Sequence, residues 1–293
     1  MVADRDQVRP LRVSLVQQAP RLGDLRHNLE ATADRLAEES RAGQDLVLFS
    51  ELSLCGYFLK DLVPETALRL DGPELARLAR AAGRAQAVVG AVVESRDHLF
   101  FNSAVILGSE GVSHVHRKVY LPTYGMFDEQ RYLATGSQVQ AIDLQFREAG
   151  TWRVGTLICE DLWHPTLPYI LSRQGVDLIV CPSASPGRGV SAGDLELGTA
   201  TLWAAMLRTY SALFTTFLAY CNRVGFEDGQ YFWGGSSLHG PEGETLAGPA
   251  SDQAEVTRVE LDRRLLRQAR IAYPLLRDER VEILRAFLGS AGD

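Results

Sequence analysis

The chain has few cysteines, and their spacing gives no sign of a disulfide framework. Four cysteines occur in 293 residues, at positions 55, 159, 181 and 221, and no Cys-x-x-Cys pair is present. Closely and regularly spaced cysteines are typical of small secreted scaffolds and of structural zinc sites. We therefore expect reduced thiols, no bound metal and a cytoplasmic location.

Long apolar runs and a basic surface are also absent. No segment reaches 18 consecutive apolar residues, which predicts no membrane span. The first ten residues are charged and contain no apolar signal core, so we do not expect secretion. The net charge of -7 is spread along the chain, which argues against a nucleic-acid partner.

Apolar patterning predicts an α/β protein in which strands alternate with helices. With 46% hydrophobic residues the chain can bury a large core, and it contains no low-complexity linker or clear repeat. We expect a flexible tail over residues 1–9 and a single domain over 10–293. The predicted strands cover residues 11–17, 45–49, 87–93, 102–107, 111–117, 152–158, 177–180, 214–221, 231–238 and 254–261. The main predicted helices cover residues 24–41, 73–83, 165–174 and 195–213.

Cys159 is the most informative residue of the sequence. It closes the apolar run 152–158 and is followed at once by Glu160 and Asp161, so it lies where a buried strand ends. A thiol attacks as its thiolate, which two neighbouring carboxylates disfavour. A reactive Cys159 therefore needs a cation and a base from elsewhere in the fold.

Two further strand ends offer such groups, Glu51 and Lys118. Taken singly, Glu51 fits a loop acid, Lys118 a solvated cation and Cys159 a small buried hydrophobe. Taken together, a carboxylate can accept the thiol proton and an ammonium can stabilise an oxyanion while the thiol forms a covalent bond. The sequence thus favours nucleophilic catalysis.

These residues lie in strings that resemble the nitrilase, or carbon–nitrogen hydrolase, superfamily, whose members use a Glu–Lys–Cys triad. The strings are FSELSLCGY (49–57), RKVYLP (117–122) and LICEDLW (157–163), with further likeness in CNRVG (221–225), FWGGSS (232–237) and PEGETLA (241–247). The resemblance implies an α-β-β-α sandwich, a small-molecule amide substrate and no cofactor. It also implies a homodimer or higher oligomer, for which the helix over 195–213 is one candidate surface, although that helix fits a core-facing helix equally well.

Within that superfamily the chain is most similar to the glutaminase domain of glutamine-dependent NAD synthetases, through residues 118–132, 159–163 and 183–186. The resemblance implies that Glu129 is an additional catalytic carboxylate, although it also fits a loop acid. It further implies substrate contacts for Tyr57, Tyr124, Glu160, Trp163 and Ser185.

Such synthetases carry a second, ATP-dependent domain, whereas this sequence ends at Asp293 and contains no Gly-rich phosphate-binding loop. Two enzymatic alternatives stay open: hydrolysis of another small carboxamide, and release of ammonia from glutamine for a separate synthetase. A catalytically silent scaffold of the same fold, an acyltransferase and a true nitrilase are less favoured.

The other candidate nucleophiles and ligands have simpler interpretations. Cys55, Cys181 and Cys221 lack the acidic pair that follows Cys159, and we expect them in the core or in pocket walls. His164 could form a dyad with Cys159, but closeness in sequence does not bring its ring to the sulfur. His114 and His116 share one strand face, which we interpret as a surface face because no third metal ligand follows at useful spacing.

Overall fold

The computed structural model describes residues 9–188 and 197–290. Its strands are β1 (Leu11–Gln17), β2 (Leu46–Phe49), β3 (Gln86–Glu94), β4 (Phe100–Gly108), β5 (Gly111–Arg117), β6 (Ala141–Phe146), β7 (Gly150–Thr156), β8 (Leu178–Ser183), β9 (Phe217–Asn222), β10 (Val224–Glu227), β11 (Gln230–Trp233), β12 (Ser237–His239), β13 (Thr245–Ala247) and β14 (Glu255–Leu261). Its helices are α1 (Leu25–Arg41), α2 (Val63–Thr66), α3 (Pro73–Ala82), α4 (Thr166–Arg173), α5 (Gly198–Leu213), α6 (Arg263–Ala272), α7 (Leu275–Asp278) and α8 (Val281–Ser290).

Two six-stranded sheets form the centre of the molecule. Sheet one has the order β14-β1-β2-β3-β4-β5, and sheet two has the order β13-β12-β9-β8-β7-β6. In each sheet three adjacent strands are parallel, β1-β2-β3 and β7-β8-β9, and the flanking pairs are antiparallel. Strands β1 and β2 face β9 and β8, so the two sheets pack against each other.

Period-two alternation explains how each strand serves two apolar layers. In β2, Leu46 and Leu48 enter the core between the sheets, whereas Val47 and Phe49 pack on the opposite side with Leu36 of α1. The outer face of sheet two is likewise covered by side chains of α4 and α5. The layers therefore run helix, sheet, sheet, helix, which confirms the expected α-β-β-α sandwich.

Local signals set the helix boundaries. Asp24 caps α1 because its Oδ1 accepts a hydrogen bond from His27 N at 3.1 Å. Pro73 begins α3, where its missing N–H costs nothing. The start of the helix predicted over 195–213 falls at residues 195–196, outside the described part, and from Gly198 onward the helix is present.

The structure corrects several predictions. The strand predicted over 231–238 is two strands, because Gly234 and Gly235 turn the chain with φ values of +72° and +71°. Strands β6, β10 and β13 were not predicted. Of the predicted flexible tail only Arg9 is described, and it contacts Asp45 and Glu148, each at 2.6 Å; residues 1–8 lie outside the described part, so the tail stays a prediction.

Candidate active site

Three predicted site residues follow the ends of strands in the two facing sheets. Glu51 comes after β2 and Lys118 directly after β5, and these strands run in the same direction within sheet one. Cys159 follows β7 of sheet two. Lys118 contacts Glu51 at 2.7 Å, and Asp161, two residues after Cys159, accepts a hydrogen bond from Val119 N at 2.9 Å, so the fold brings the three chain segments together.

Glu51 is fixed by hydrogen bonds to both carboxylate oxygens. Its Oε1 accepts from Lys118 Nζ at 2.7 Å and from Asn102 Nδ2 at 2.8 Å, and its Oε2 accepts from Ala184 N at 2.8 Å. The last bond joins sheet one to the end of β8 in sheet two. Only 1% of Glu51 is exposed. Oε1 accepts two bonds, whereas Oε2 accepts one and has a lone pair left, so the carboxylate can still accept a proton at Oε2.

Gly90 on β3 lets the Glu51 turn lie against the sheet. A Cβ at this position would overlap Leu52 N and lie 2.5 Å from Ser50 O, the residues on either side of Glu51. Leu54 N also donates to Gly90 O at 3.0 Å. The absence of a side chain at position 90 is therefore part of how Glu51 is placed.

Lys118 bridges two carboxylates. Its Nζ lies 2.7 Å from Glu51 Oε1 and 2.7 Å from Glu129 Oε1. Burial lowers the pKa of Lys118, but the charges of Glu129 and Glu51 outweigh burial and raise it well above the usual value. The ammonium therefore stays charged, as an oxyanion partner must.

Glu129 begins a 3₁₀ turn (Glu129–Arg131) and is 7% exposed. Its Oε1 also accepts a short hydrogen bond from the Tyr57 hydroxyl, whereas Oε2 is buried with no hydrogen-bond partner among the described residues. Burial raises the pKa of Glu129 to about 7; Lys118 opposes this rise and Glu51 adds to it. Glu129 can therefore exchange a proton near neutral pH.

Cys159 begins a second 3₁₀ turn (Cys159–Trp163) with a backbone φ of +44°. This left-handed conformation is uncommon for a residue other than glycine and costs roughly 1–3 kcal/mol. Cys159 is half-buried, whereas the other three cysteines are buried. Burial, followed by the charge of Glu51, raises the pKa of the Cys159 thiol well above its usual value, while Lys118 opposes the rise.

Tyr57 forms one wall of the site and is held from behind by a buried ion pair. Glu227 Oε1 accepts from Tyr57 N at 2.7 Å and from Phe58 N at 2.8 Å. Glu227 in turn pairs with Arg223 at 2.5 Å. The aromatic edges of Phe127 and Phe232 pack around the Tyr57 ring.

The remaining predicted substrate contacts divide into a rim and an interior group. Tyr124 is half exposed and donates to Glu160 Oε2 at 2.9 Å, so these two residues form the rim. Ser185 is buried, and its Oγ accepts from Trp203 Nε1 at 2.9 Å. Trp163 packs edge-on against the same Trp203 ring at 5.5 Å.

The histidines differ in part from what the sequence suggested. His164 stacks on Tyr120, with ring centroids 3.4 Å apart, and its Nε2 lies 3.9 Å from Glu160. His116 does not lie on a surface face: it is 3% exposed and its Nε2 lies 2.9 Å from Asp161 Oδ2. The prediction of a surface position is wrong for His116 because the turn after β7, which contains Asp161, covers the end of β5. Within the described residues, no three His, Cys, Asp or Glu side chains are grouped to hold a metal ion.

Sequence reasoning missed several residues that shape the site. Asn102 bonds Glu51, and Asp161 bonds the backbone next to Lys118. Arg188 lies over the Phe127 ring at 4.5 Å, beside the rim. Asn102 carries a usable signal, since it is a polar side chain within an apolar strand.

The profile of the Carbon-nitrogen hydrolase family matches residues 12–271. The chain belongs to the carbon–nitrogen hydrolase family. It is therefore an enzyme of the class that hydrolyses C–N bonds, as the three sequence strings indicate. Across the described residues, no helix is both long and apolar enough to cross a bilayer.

Two kinds of relative match this carbon–nitrogen hydrolase. A glutamine-dependent NAD(+) synthetase from Thermotoga maritima is 32% identical over 255 residues, covering 86% of this chain and 42% of the synthetase. An (R)-stereoselective amidase from a Pseudomonas species is 30% identical over 279 residues, covering 92% of both proteins. The chain thus spans less than half of the synthetase and nearly all of the amidase.

The solved structures are likewise of two kinds, one much longer than this chain and one of similar length. A glutamine-dependent NAD+ synthetase from Acinetobacter baumannii superposes with a TM-score of 0.75 at 27% identity, covering 87% of this chain and 46% of that one. A carbon-nitrogen hydrolase from Helicobacter pylori gives 0.81 at 23% identity, covering 96% and 99%. The second likeness concerns the fold alone.

Proposed function

We propose that this carbon–nitrogen hydrolase is a thiol amidohydrolase that cleaves a small carboxamide through a thioester on Cys159. The observation that carries the proposal is the buried ammonium of Lys118 between Glu51 and Glu129; Val119, the next residue after Lys118, is bonded to the strained turn that holds the thiol. The full-length likeness to an amidase supports it. The substrate is a small amide, and the reaction needs no cofactor.

Acylation begins with Glu51 as the base. The raised pKa of Cys159 keeps the resting thiol protonated, so its proton must move to Glu51 as the sulfur attacks the carbonyl carbon. The C=O π electrons move to oxygen, and that oxyanion is stabilised by Lys118 and by a backbone N–H following Cys159. Glu51 then returns the proton to the leaving nitrogen as the C–N bond breaks, which leaves the thioester and free ammonia or amine.

Deacylation uses water in the same site. Glu51 removes a proton from the water, aided by Glu129, and the water oxygen attacks the thioester carbon. The oxyanion re-forms the C=O bond as the C–S bond breaks, the thiolate takes the proton held by Glu51, and the carboxylic acid departs.

An amide panel with ammonia detection tests this proposal. Glutamine, asparagine, ω-amides and N-carbamoyl amino acids cover the main substrate classes. We expect wild type and Cys221→Ala, which alters a buried thiol of the inter-sheet core, to turn over the same amide. Cys159→Ala should lose turnover and the acyl adduct seen by mass spectrometry. Turnover by Cys159→Ala at the wild-type rate would refute the mechanism.

Arg188 favours a second candidate, a glutaminase that supplies ammonia to a separate synthetase. Its guanidinium lies 4.5 Å from the Phe127 ring and 5.9 Å from the Tyr124 ring. Its Nη2 is buried, and no residue of the described part accepts a hydrogen bond from it. A substrate carboxylate would satisfy that donor, and glutamine carries one.

Paired substrates distinguish the two candidates. If glutamine is the substrate, Arg188→Gln should lower kcat/KM for glutamine by about 10- to 100-fold, yet barely affect a neutral amide of similar length. Arg131→Gln, which alters an exposed arginine in the loop that also contains Tyr124 and Phe127, is the control. If Arg188→Gln changes kcat/KM relative to wild type by the same factor for glutamine and for the neutral amide, the case for glutamine fails.

We further propose a cytoplasmic homodimer or higher oligomer. Helix α5 buries Trp203 and Leu207 against sheet two but leaves Leu202 and Leu213 more than half exposed. Analytical ultracentrifugation of wild type and Leu202→Glu tests this surface. A wild-type monomer at micromolar concentration would refute the oligomer.

A further inference from the structure

Asp161 is a fully buried carboxylate that no step of the proposed reaction uses. Its Oδ1 accepts from Val119 N and Tyr120 N, both at 2.9 Å. Its Oδ2 accepts from Ile158 N at 3.0 Å and lies 2.9 Å from His116 Nε2. These contacts use most of the acceptor capacity of an ionised carboxylate.

The partners of Asp161 come from both sheets. His116, Val119 and Tyr120 flank Lys118 at the end of β5 in sheet one. Ile158 directly precedes Cys159, after β7 in sheet two. No ladder of strand hydrogen bonds joins the described strands of the two sheets. The position of Lys118 relative to Cys159 is therefore set by the apolar core between the sheets and by individual links such as this one.

Asp161 also closes the turn that contains the nucleophile. Asp161 N donates to Ile158 O at 2.9 Å, while Ile158 N donates to the Asp161 carboxylate. Between them, Cys159 has its φ of +44°. A strained conformation persists only where its surroundings hold it, and here the bonds between residues 158 and 161 do so.

We propose that Asp161 is a positioning residue whose carboxylate fixes the Lys118 ammonium relative to the Cys159 sulfur across the two sheets. This inference rests on the proposed roles of Lys118 and Cys159. Asp161 itself touches neither the substrate nor the reacting atoms. His116 supports it from the strand that leads into Lys118.

Asp161→Asn tests the proposal, because the shape is kept while one acceptor oxygen becomes a donor. That amide cannot serve Ile158 N and the Val119–Tyr120 pair together. We expect kcat to fall about 10²-fold with little change in KM, because small displacements near the reacting atoms have effects of this size. The kcat is normalised to the amount of titratable Cys159 thiol, so that misfolded protein is not counted. His116→Ala removes one contact and should lower kcat about fivefold.

Glu39→Gln is the matched control. Glu39 is another fully buried carboxylate, bonded to Ser14 and to Arg258 at 2.7–2.8 Å, and none of these residues contacts the site. We expect this variant to lose thermal stability while it keeps the wild-type kcat. Should Asp161→Asn keep the wild-type kcat, or should Glu39→Gln lose as much, Asp161 has no positioning role.

A second readout does not need an amide substrate. Because Lys118 favours the Cys159 thiolate, displacing Lys118 should slow alkylation of Cys159 by iodoacetamide about tenfold and shift its pH profile upward. If wild type hydrolyses no amide, the proposed function fails while this rate still tests Asp161. Wild-type alkylation kinetics in folded Asp161→Asn and His116→Ala would overturn the inference.

Discussion

The ammonium of Lys118 lies 2.7 Å from Glu51 Oε1, and neither side chain is exposed. Glu129 Oε1 accepts from the same ammonium at the same distance. One buried cation thus holds two carboxylates together. Removing the cation would leave them facing each other without compensation.

Lys118→Ala should therefore affect both stability and rate. Breaking a buried ion pair from one side generally costs about 3–5 kcal/mol of unfolding free energy. Loss of an oxyanion partner lowers kcat by roughly 10²–10³-fold. Urea unfolding at pH 8 and amide turnover measure the two effects.

Lys60→Ala is the control for that experiment. Lys60 pairs with Asp228 at 2.8 Å on the surface, where both side chains are about half exposed or more. Such an exposed, solvent-screened pair contributes little to stability. Similar losses in Lys60→Ala and Lys118→Ala would contradict the bridging role of Lys118.

Glu129 should make stability depend on pH between its usual pKa of 4.5 and about 7. In that window the folded protein keeps a proton that the unfolded chain has released, so unfolding free energy falls as pH rises. Glu129→Gln carries no such proton. The difference in unfolding free energy, Glu129→Gln minus wild type, should therefore increase by on the order of 1–3 kcal/mol from pH 5 to pH 8. A difference independent of pH would show that Glu129 titrates normally.

The strands that lead to Glu51 and Cys159 were predictable because each of them is visible as a short apolar run in the sequence. The order of the three strings indicates the family. The split between β11 and β12 was missed because the predicted strand was continued through Gly234 and Gly235, although this glycine pair itself indicates the turn.

The contacts of Asn102 and Asp161 were not predictable, since they depend on register and on sheet packing. Asn102 meets Glu51 only because β4 and β2 lie on either side of β3. Asp161 meets the backbone beside Lys118 across more than forty residues of sequence. No periodicity within one strand encodes such pairs.

Alkylation should distinguish Cys159 from the other thiols. Cys55, Cys181 and Cys221 are buried, so iodoacetamide should modify the folded protein at Cys159 alone. The raised pKa of Cys159 means that the rate should still increase as pH passes 9, the usual thiol value. Peptide mass mapping and a pH series measure both points. A rate that levels off below pH 8 would indicate a thiolate at rest, and a different mechanism.

Gly90→Ala should disturb the Glu51 turn although position 90 has no side chain of its own. The added Cβ would overlap Leu52 N and crowd Ser50 O, and both are backbone atoms that cannot rotate away. We expect a loss of roughly 1–3 kcal/mol in unfolding free energy, since overpacking has that cost. The kcat of the variant should also fall, because Glu51 moves relative to Lys118. Gly289→Ala, at a helical site with nothing within 4 Å, should lower neither the unfolding free energy nor kcat, since Ala favours a helix over Gly. Wild-type kcat in Gly90→Ala would mean that the turn adapts without moving the carboxylate.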